Sequence, residues 1–191
     1  MSPEATAAFT RQAEQDLDRF LKCRARELVP GGKLLLAGPG DFDQFRVFDG
    51  FSDIANDACL DLVAAGRLGR EQYERFTMPM YFRTLRELLA PVEREDSPVL
   101  EAFAVERAQE LEVPMPFLVE FRRSGDVAAY AGAYTGFLRA ISEPVVRAAF
   151  EPDGKVGTVE RLYELIRARL LADPERYSCR FTLVGALSIR R

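Results

Sequence analysis

The 191-residue chain has no histidine and no tryptophan, and three cysteines. Without histidine it cannot form a Ser-His-Asp or Cys-His catalytic set, a histidine-ligated zinc site or a histidine acid–base pair from its own residues. Cys23, Cys59 and Cys179 are odd in number and far apart, with no pair at metal-ligand spacing. That pattern points to reduced thiols and a cytoplasmic protein. Neither a GxGxxG fingerprint nor a Walker A loop occurs: Gly38-Pro39-Gly40-Asp41 has the wrong spacing and follows the wrong strand. No signal-peptide pattern, membrane-spanning apolar run, low-complexity tract or internal repeat is read along the chain. A formal net charge of −4, with arginines interleaved among Glu and Asp, excludes electrostatic capture of nucleic acid or an anionic membrane.

What is present is apolar periodicity, with 48% hydrophobic residues to build a core. Gln12–Leu28 reads as an amphipathic helix with Leu17, Phe20, Leu21 and Leu28 on one face. Pro30-Gly31-Gly32 stops it, and Lys33–Ala37 follows as a short apolar strand without alternation, the pattern of a strand covered on both faces in a largely parallel sheet. Such a strand calls for neighbouring strands that this sequence does not supply, so the chain reads as starting inside a domain. Phe51–Val63 carries helical spacing closed near Gly66, and Arg70–Phe76 a short helix. Thr84-Leu85-Arg86-Glu87 is a capping box opening a helix through Val92. Val99–Glu106 reads as a strand. Gly125–Arg139 reads as a helix that Pro144 kinks or ends, and Thr158 as the cap of a helix striped by Val159, Leu162, Tyr163, Ile166 and Leu170. Phe181–Ile189 closes the chain as an alternating strand, giving three strands and about six helices.

Four segments then carry a resemblance. AFTRQAEQDLDRFLKCRARELVPGGKLLL, DACLDLVAAGRLGREQYERFTMPMYFRTLREL, AAYAGAYTGFLRAISEPVV and LVGALSIRR occur here in that order. In order and content they resemble the C-terminal half of the SABATH S-adenosylmethionine-dependent carboxyl methyltransferases, the salicylate/jasmonate/theobromine group. The first two segments are specific; the last two are weak alone. The resemblance implies an α/β fold: the C-terminal part of a class I, Rossmann-like methyltransferase sheet of about three strands, with a mostly helical cap lobe. Residues 1–45, 97–111 and 178–191 would form the partial sheet domain, and 46–96 with 112–177 the substrate-binding cap. The implied cofactor is S-adenosyl-L-methionine, but the family's cofactor-binding motif lies upstream of the matched segments, so cofactor-binding residues stay unknown and no catalytic residue is named. The implied acceptor is a small-molecule carboxylate or ring nitrogen, with no nucleic acid or membrane partner. The implied partner is an N-terminal half-enzyme chain or a second copy.

Matching positions imply the site residues. Phe51 and Ser52 stand where the family places an apolar residue and a tryptophan beside the substrate. Tyr81 matches a pocket-lining tyrosine, and Leu138 and Ile141 match positions that shape the acceptor pocket. Some members carry magnesium at a stretch that here is Glu74-Arg75-Phe76-Thr77, so Glu74, the Phe76 carbonyl and Thr77 are candidate ligands. The chemistry suits a chain without histidine, because a carboxylate is ionised near neutral pH and accepts a methyl without a general base. On residue pattern alone the bland readings stand beside these. Phe51, Leu138 and Ile141 fit core stripes, Ser52 a helix N-cap, Tyr81 a surface-packed tyrosine and Glu74 a solvated helix position. Two functions follow: a methyltransferase completed by another polypeptide, or a non-catalytic module that binds a partner or apolar ligand through the cap.

Overall fold

The computed structural model describes residues 3–42, 47–152 and 156–191. They form seven helices and three strands: α1 (Pro3–Glu27), β1 (Lys33–Pro39), α2 (Asp49–Ala64), α3 (Arg70–Arg75), α4 (Leu85–Glu93), β2 (Phe103–Val113), α5 (Pro116–Ser124), α6 (Val127–Phe150), α7 (Thr158–Ala172) and β3 (Phe181–Arg190). The chain divides into two compact units. One takes Met1–Val47, Met80–Val113 and Phe181–Arg191, the other Phe48–Pro79 and Pro114–Arg180. The expected division differs chiefly at Met80–Asp96, set there in the cap and here within the sheet unit. No helix among the described residues is long and apolar enough to cross a membrane.

In the sheet unit the strand order is β1-β3-β2, and β3 runs antiparallel to both neighbours. This corrects the expectation of a parallel strand at Lys33–Ala37. Side chains along β1 alternate between half-buried and exposed, so the strand is covered on one face. A run of leucines hides that alternation, because the residues on the uncovered face are apolar too. Leu34 and Leu36 point to the covered face, where they pack with Leu17, Leu21, Ala25 and Leu28 of α1, Leu88 and Val92 of α4, and Val99 and Phe103. α4 opens on the expected capping box: Thr84 Oγ1 accepts from the Glu87 N–H, and Glu87 Oε2 accepts from the Thr84 N–H at 2.8 Å. The second strand begins later than expected, at Phe103, because Val99–Ala102 forms turns; it then runs on to Val113 past a bulge between Val105 and Arg107.

The helical unit is built on α6 and α7. α6 is continuous through Pro144, where a kink or break was expected. Helix α5 lies in a stretch to which the sequence reading gave no element, and Gly157, at φ 116°, replaces Thr158 as the N-cap of α7. Close backbone approach explains two glycines. A Cβ at Gly50 would lie 2.4 Å from the Ser178 carbonyl oxygen, and one at Gly40 would lie 2.5 Å from the Arg83 carbonyl oxygen and 2.6 Å from the Val184 methyls. Gly38 meets nothing within 4 Å. Gly40→Ala is therefore expected to lower unfolding free energy in urea by about 1–3 kcal/mol through overpacking, while Gly38→Ala stays within about 0.5 kcal/mol of the parent.

Candidate functional site

The helical unit gathers aromatic rings around α5 and α6. α5 begins at Pro116, whose missing N–H costs nothing at a helix start, and this first turn presents Phe117. The Phe117 ring stacks on Tyr134 at 4.9 Å, Phe121 stacks on Tyr130 at 4.6 Å, and Phe117 approaches Phe137 at 5.8 Å. Phe48 extends the group, 6.0 Å from Phe137 and 6.1 Å from Phe51. It caps α2 in the left-handed backbone region at φ 65°, a conformation costing an L-residue about 1–2 kcal/mol, and its N–H donates to the Arg180 carbonyl at 3.2 Å. The Tyr134 hydroxyl donates to the Tyr177 carbonyl at 3.2 Å. Tyr130 keeps a buried hydroxyl without a partner. Burial pushes the Tyr130 phenol up to about 12 and the Cys59 thiol also to about 12, so neither ionises near neutral pH.

The expected acceptor residues fall at different depths. Phe51 is 5% exposed and joins the aromatic group through Phe48; Leu138, beside Phe137 in α6, is fully buried. Ser52 is exposed in the first turn of α2, where its N–H donates to the Phe48 carbonyl at 3.0 Å, and Phe48 rather than Ser52 is the N-cap. Ile141 is 40% exposed. Tyr81 belongs to the sheet unit. There its hydroxyl donates to Glu87 Oε1 at 2.6 Å, and burial is the first of the causes that raise its pKa. Sequence reasoning placed Tyr130, Tyr134 and Phe137 on a helix but missed Phe48 and Phe117 as their partners. The signal available was the Pro116-Phe117 helix start.

The α6 segment carrying Leu138 and Ile141 is fixed to α7 by ion pairs. Glu143 bridges Arg139 Nε at 2.5 Å and Arg147 Nη2 at 2.6 Å, and Glu160 of α7 receives both arginines at 2.8 and 3.0 Å. Buried Glu151 accepts the N–H groups of Gly157 and Val159 at 2.9 and 3.0 Å, satisfying the open end of α7. Hydrogen bonds from Arg139 and then Arg147 hold the Glu143 carboxyl down to about 2.

The structure gives the magnesium expectation no support. Glu74 is exposed and ion-paired to Arg70 at 3.3 Å, and the Phe76 ring packs on Phe150 at 5.0 Å. No group of three or more His, Cys, Asp or Glu suited to a metal occurs among the described residues. The backbone at Gly40 is closed on by Arg83 and Val184, and Asp41 N–H donates to the Arg83 carbonyl at 3.1 Å.

Comparison with known proteins places this geometry. The family model of SAM-dependent carboxyl methyltransferases matches residues 1–190. Gibberellic acid methyltransferase 1 of Arabidopsis thaliana is 28% identical over an alignment that covers 98% of this chain and 50% of that protein. Indole-3-acetate O-methyltransferase 1 of Oryza sativa subsp. japonica is 34% identical over 74% of this chain and 35% of its own length. A 3,7-dimethylxanthine N-methyltransferase of Camellia sinensis var. assamica is 26% identical over 91% of this chain and 44% of its own length. The solved structure of loganic acid methyltransferase with SAH superposes with a TM-score of 0.74 at 22% identity, over 98% of this chain and 50% of that one. The chain spans half or less of the length of these relatives.

The Glu143 bridge gives a pH test. Its carboxyl is held below the unfolded value of about 4.3, so its contribution is complete above that value and is lost as pH falls through about 2. Glu143→Gln should therefore melt below the parent at pH 7, and the gap in Tm should close as the pH is lowered from about 5 to about 2.

Proposed function

We propose a function that starts from one fact, that this chain belongs to the SAM-dependent carboxyl methyltransferase family: it supplies the acceptor-binding lobe for methyl transfer to a small-molecule carboxylate or ring nitrogen. The observation that carries this reading is the aromatic group of Phe48, Phe51, Phe117, Tyr134 and Phe137, built beside the α6 positions Leu138 and Ile141. Names of relatives include both chemistries, acid O-methylation and xanthine N-methylation.

The division of labour follows from the residues present. S-adenosylmethionine, when bound, supplies an electrophilic methyl group; this chain offers no Gly-rich phosphate- or nucleoside-binding turn for it, so the cofactor site lies with another polypeptide segment. The chain's own contribution is to desolvate and orient the acceptor. An apolar aromatic wall excludes water, and an acceptor oxygen or nitrogen that is already nucleophilic needs alignment, not deprotonation. Buried Phe51 and Leu138 set the depth of the wall, while Ser52 and Ile141 present side chains at its surface. Serine in place of the family's tryptophan at position 52 removes an indole N–H donor, which favours acceptors held by shape over those held by a carboxylate hydrogen bond. The second reading, a non-catalytic module that binds an apolar ligand through the same lobe, draws on the same wall and on the lack of a cofactor turn.

The two are separated by titrating the purified chain with gibberellic acid, indole-3-acetate, loganic acid and 3,7-dimethylxanthine, followed by nuclear magnetic resonance. Binding of at least one is expected, with shifts at Phe51 and Leu138. Ile141→Asp should weaken it about tenfold or more without lowering Tm, and Ser52→Trp should favour indole-3-acetate. If none of the four perturbs these residues while an uncharged apolar probe such as 1-anilinonaphthalene's parent hydrocarbon does, the methyl-acceptor reading is wrong and the second one stands.

A further inference from the structure

Four residues between α7 and β3, Tyr177–Arg180, form neither helix nor strand, yet the aromatic wall leans on their main chain. The Tyr177 carbonyl accepts the Tyr134 hydroxyl of α6 at 3.2 Å, and the Arg180 carbonyl accepts the Phe48 N–H at 3.2 Å. Gly50, in the first turn of α2, lies so close that a Cβ there would be 2.4 Å from the Ser178 carbonyl oxygen and 2.5 Å from that of Tyr177. The segment therefore sets where Phe48 and Tyr134, two rings of the wall, stand relative to each other.

What holds the segment is the side chain of Tyr177, which is buried. Its hydroxyl donates to Asp57 Oδ2 on α2 at 2.7 Å and accepts from Arg169 Nη1 on α7 at 3.1 Å. Arg169 Nη2 donates in turn to Asp61 Oδ2, one helical turn beyond Asp57, at 2.6 Å, and Arg169 Nη1 stands 3.6 Å from Asp57 Oδ2. Arg176 closes the group, 3.5 Å from Asp57 Oδ2 and with its guanidinium 5.2 Å from the centre of the Tyr177 ring. One residue thus joins three helices, α6 through its carbonyl and α2 and α7 through its hydroxyl. The arrangement is poorly suited to stability alone. Arg169 Nε is buried without a partner, and ion pairs drawn out of water add little net stability. What a planar guanidinium fork fixes is geometry.

We propose that Asp57 and Arg169 are positioning residues of the acceptor wall: acting through the Tyr177 hydroxyl, they fix the Tyr177–Arg180 segment and, through it, the Phe48 and Tyr134 rings. The inference rests on the reading that this wall holds the methyl acceptor. Asp57 supplies the acceptor and Arg169 the donor that hold the hydroxyl in one direction; an ion pair between the two alone would not need Tyr177. In-line methyl transfer tolerates little misplacement, since a shift of about 1 Å costs about a hundredfold in rate. The set of the wall is thus a determinant of the reaction, although the groups that support it carry no chemistry.

The test compares three variants with the parent, all as the full 191-residue chain, by nuclear magnetic resonance and hydrogen exchange. Tyr177→Phe keeps the ring and removes the bridge. Asp57→Ala removes the acceptor, whereas Asp57→Asn loses the charge but keeps an oxygen for the hydroxyl. In the free chain, Tyr177→Phe and Asp57→Ala are expected to speed exchange of the Phe48 amide about tenfold or more relative to the Leu62 amide of α2, and to shift the ring signals of Phe48 and Tyr134. Asp57→Asn stays close to the parent. An acceptor named above that binds the parent should bind the first two variants about tenfold more weakly and Asp57→Asn about equally. Gly40→Ala, which lowers stability from the sheet unit, leaves both readouts at the parent's values. Unmoved Phe48 and Tyr134 signals in Tyr177→Phe overturn the proposal. So does Asp57→Asn behaving like Asp57→Ala, which would mark an ion pair that only stabilises, and so does unchanged acceptor affinity when the wall moves. Asp57 is half-buried, so its two variants decide the matter if Tyr177→Phe does not fold. If no acceptor binds the parent, the functional reading falls, and the free-chain signals still decide whether the network sets the wall.

Discussion

Strand β3 pairs along its length with β1 on one side and with β2 on the other, so neither ladder exists until the last ten residues are in place. Arg190 then fastens three parts of the sheet unit at once. Its main chain bonds Gly31 and Gly32, its Nε donates to the Ala25 carbonyl at the end of α1, and its Nη1 donates to the Ala102 carbonyl ahead of β2. The covered face follows from that closure, because Leu34 and Phe103 meet the leucines of α1 only when β3 holds their strands in register. Pairings this distant in sequence carry a loop-closure entropy cost that the local contacts of the helices do not.

Much of this was legible in the residues. The Thr84–Glu87 capping box and the stripe of α7 each follow a local rule and formed where the rule put them; of the α1 stripe, Leu17 and Leu21 are buried, while Phe20 is 40% exposed and Leu28 follows the helix end at Glu27. The departures have physical reasons of one kind. A strand with apolar residues on both faces reads the same whether both faces are covered or one, so Lys33–Ala37 gave no warning that its ladder was antiparallel. Pro144 reads as a break, yet α6 runs through it within a helix anchored by its pairs to α7. α5 is nine residues long and carries no buried stripe, so periodicity gave it no weight; its rings pack across α6 instead.

The site shows the same boundary. Matching positions found Phe51 and Leu138, and both sit in or beside the aromatic group. They could not show that Phe48 accepts a left-handed backbone to reach Phe137, since that depends on its bond to Arg180, far along the chain. Nor could spacing alone show that Glu74 is ion-paired to Arg70. Burial pushes the Tyr130 and Tyr134 phenols and the Cys59 thiol of this lobe away from neutral titration.

The proposal that this chain supplies the acceptor-binding lobe, with the cofactor held elsewhere, has one direct test. Calorimetric titration of the purified 191-residue protein with S-adenosylhomocysteine tests it most directly. The account predicts no measurable heat of binding from a protein that melts cooperatively. Micromolar binding would contradict it, and would mean that residues of this chain form a cofactor site.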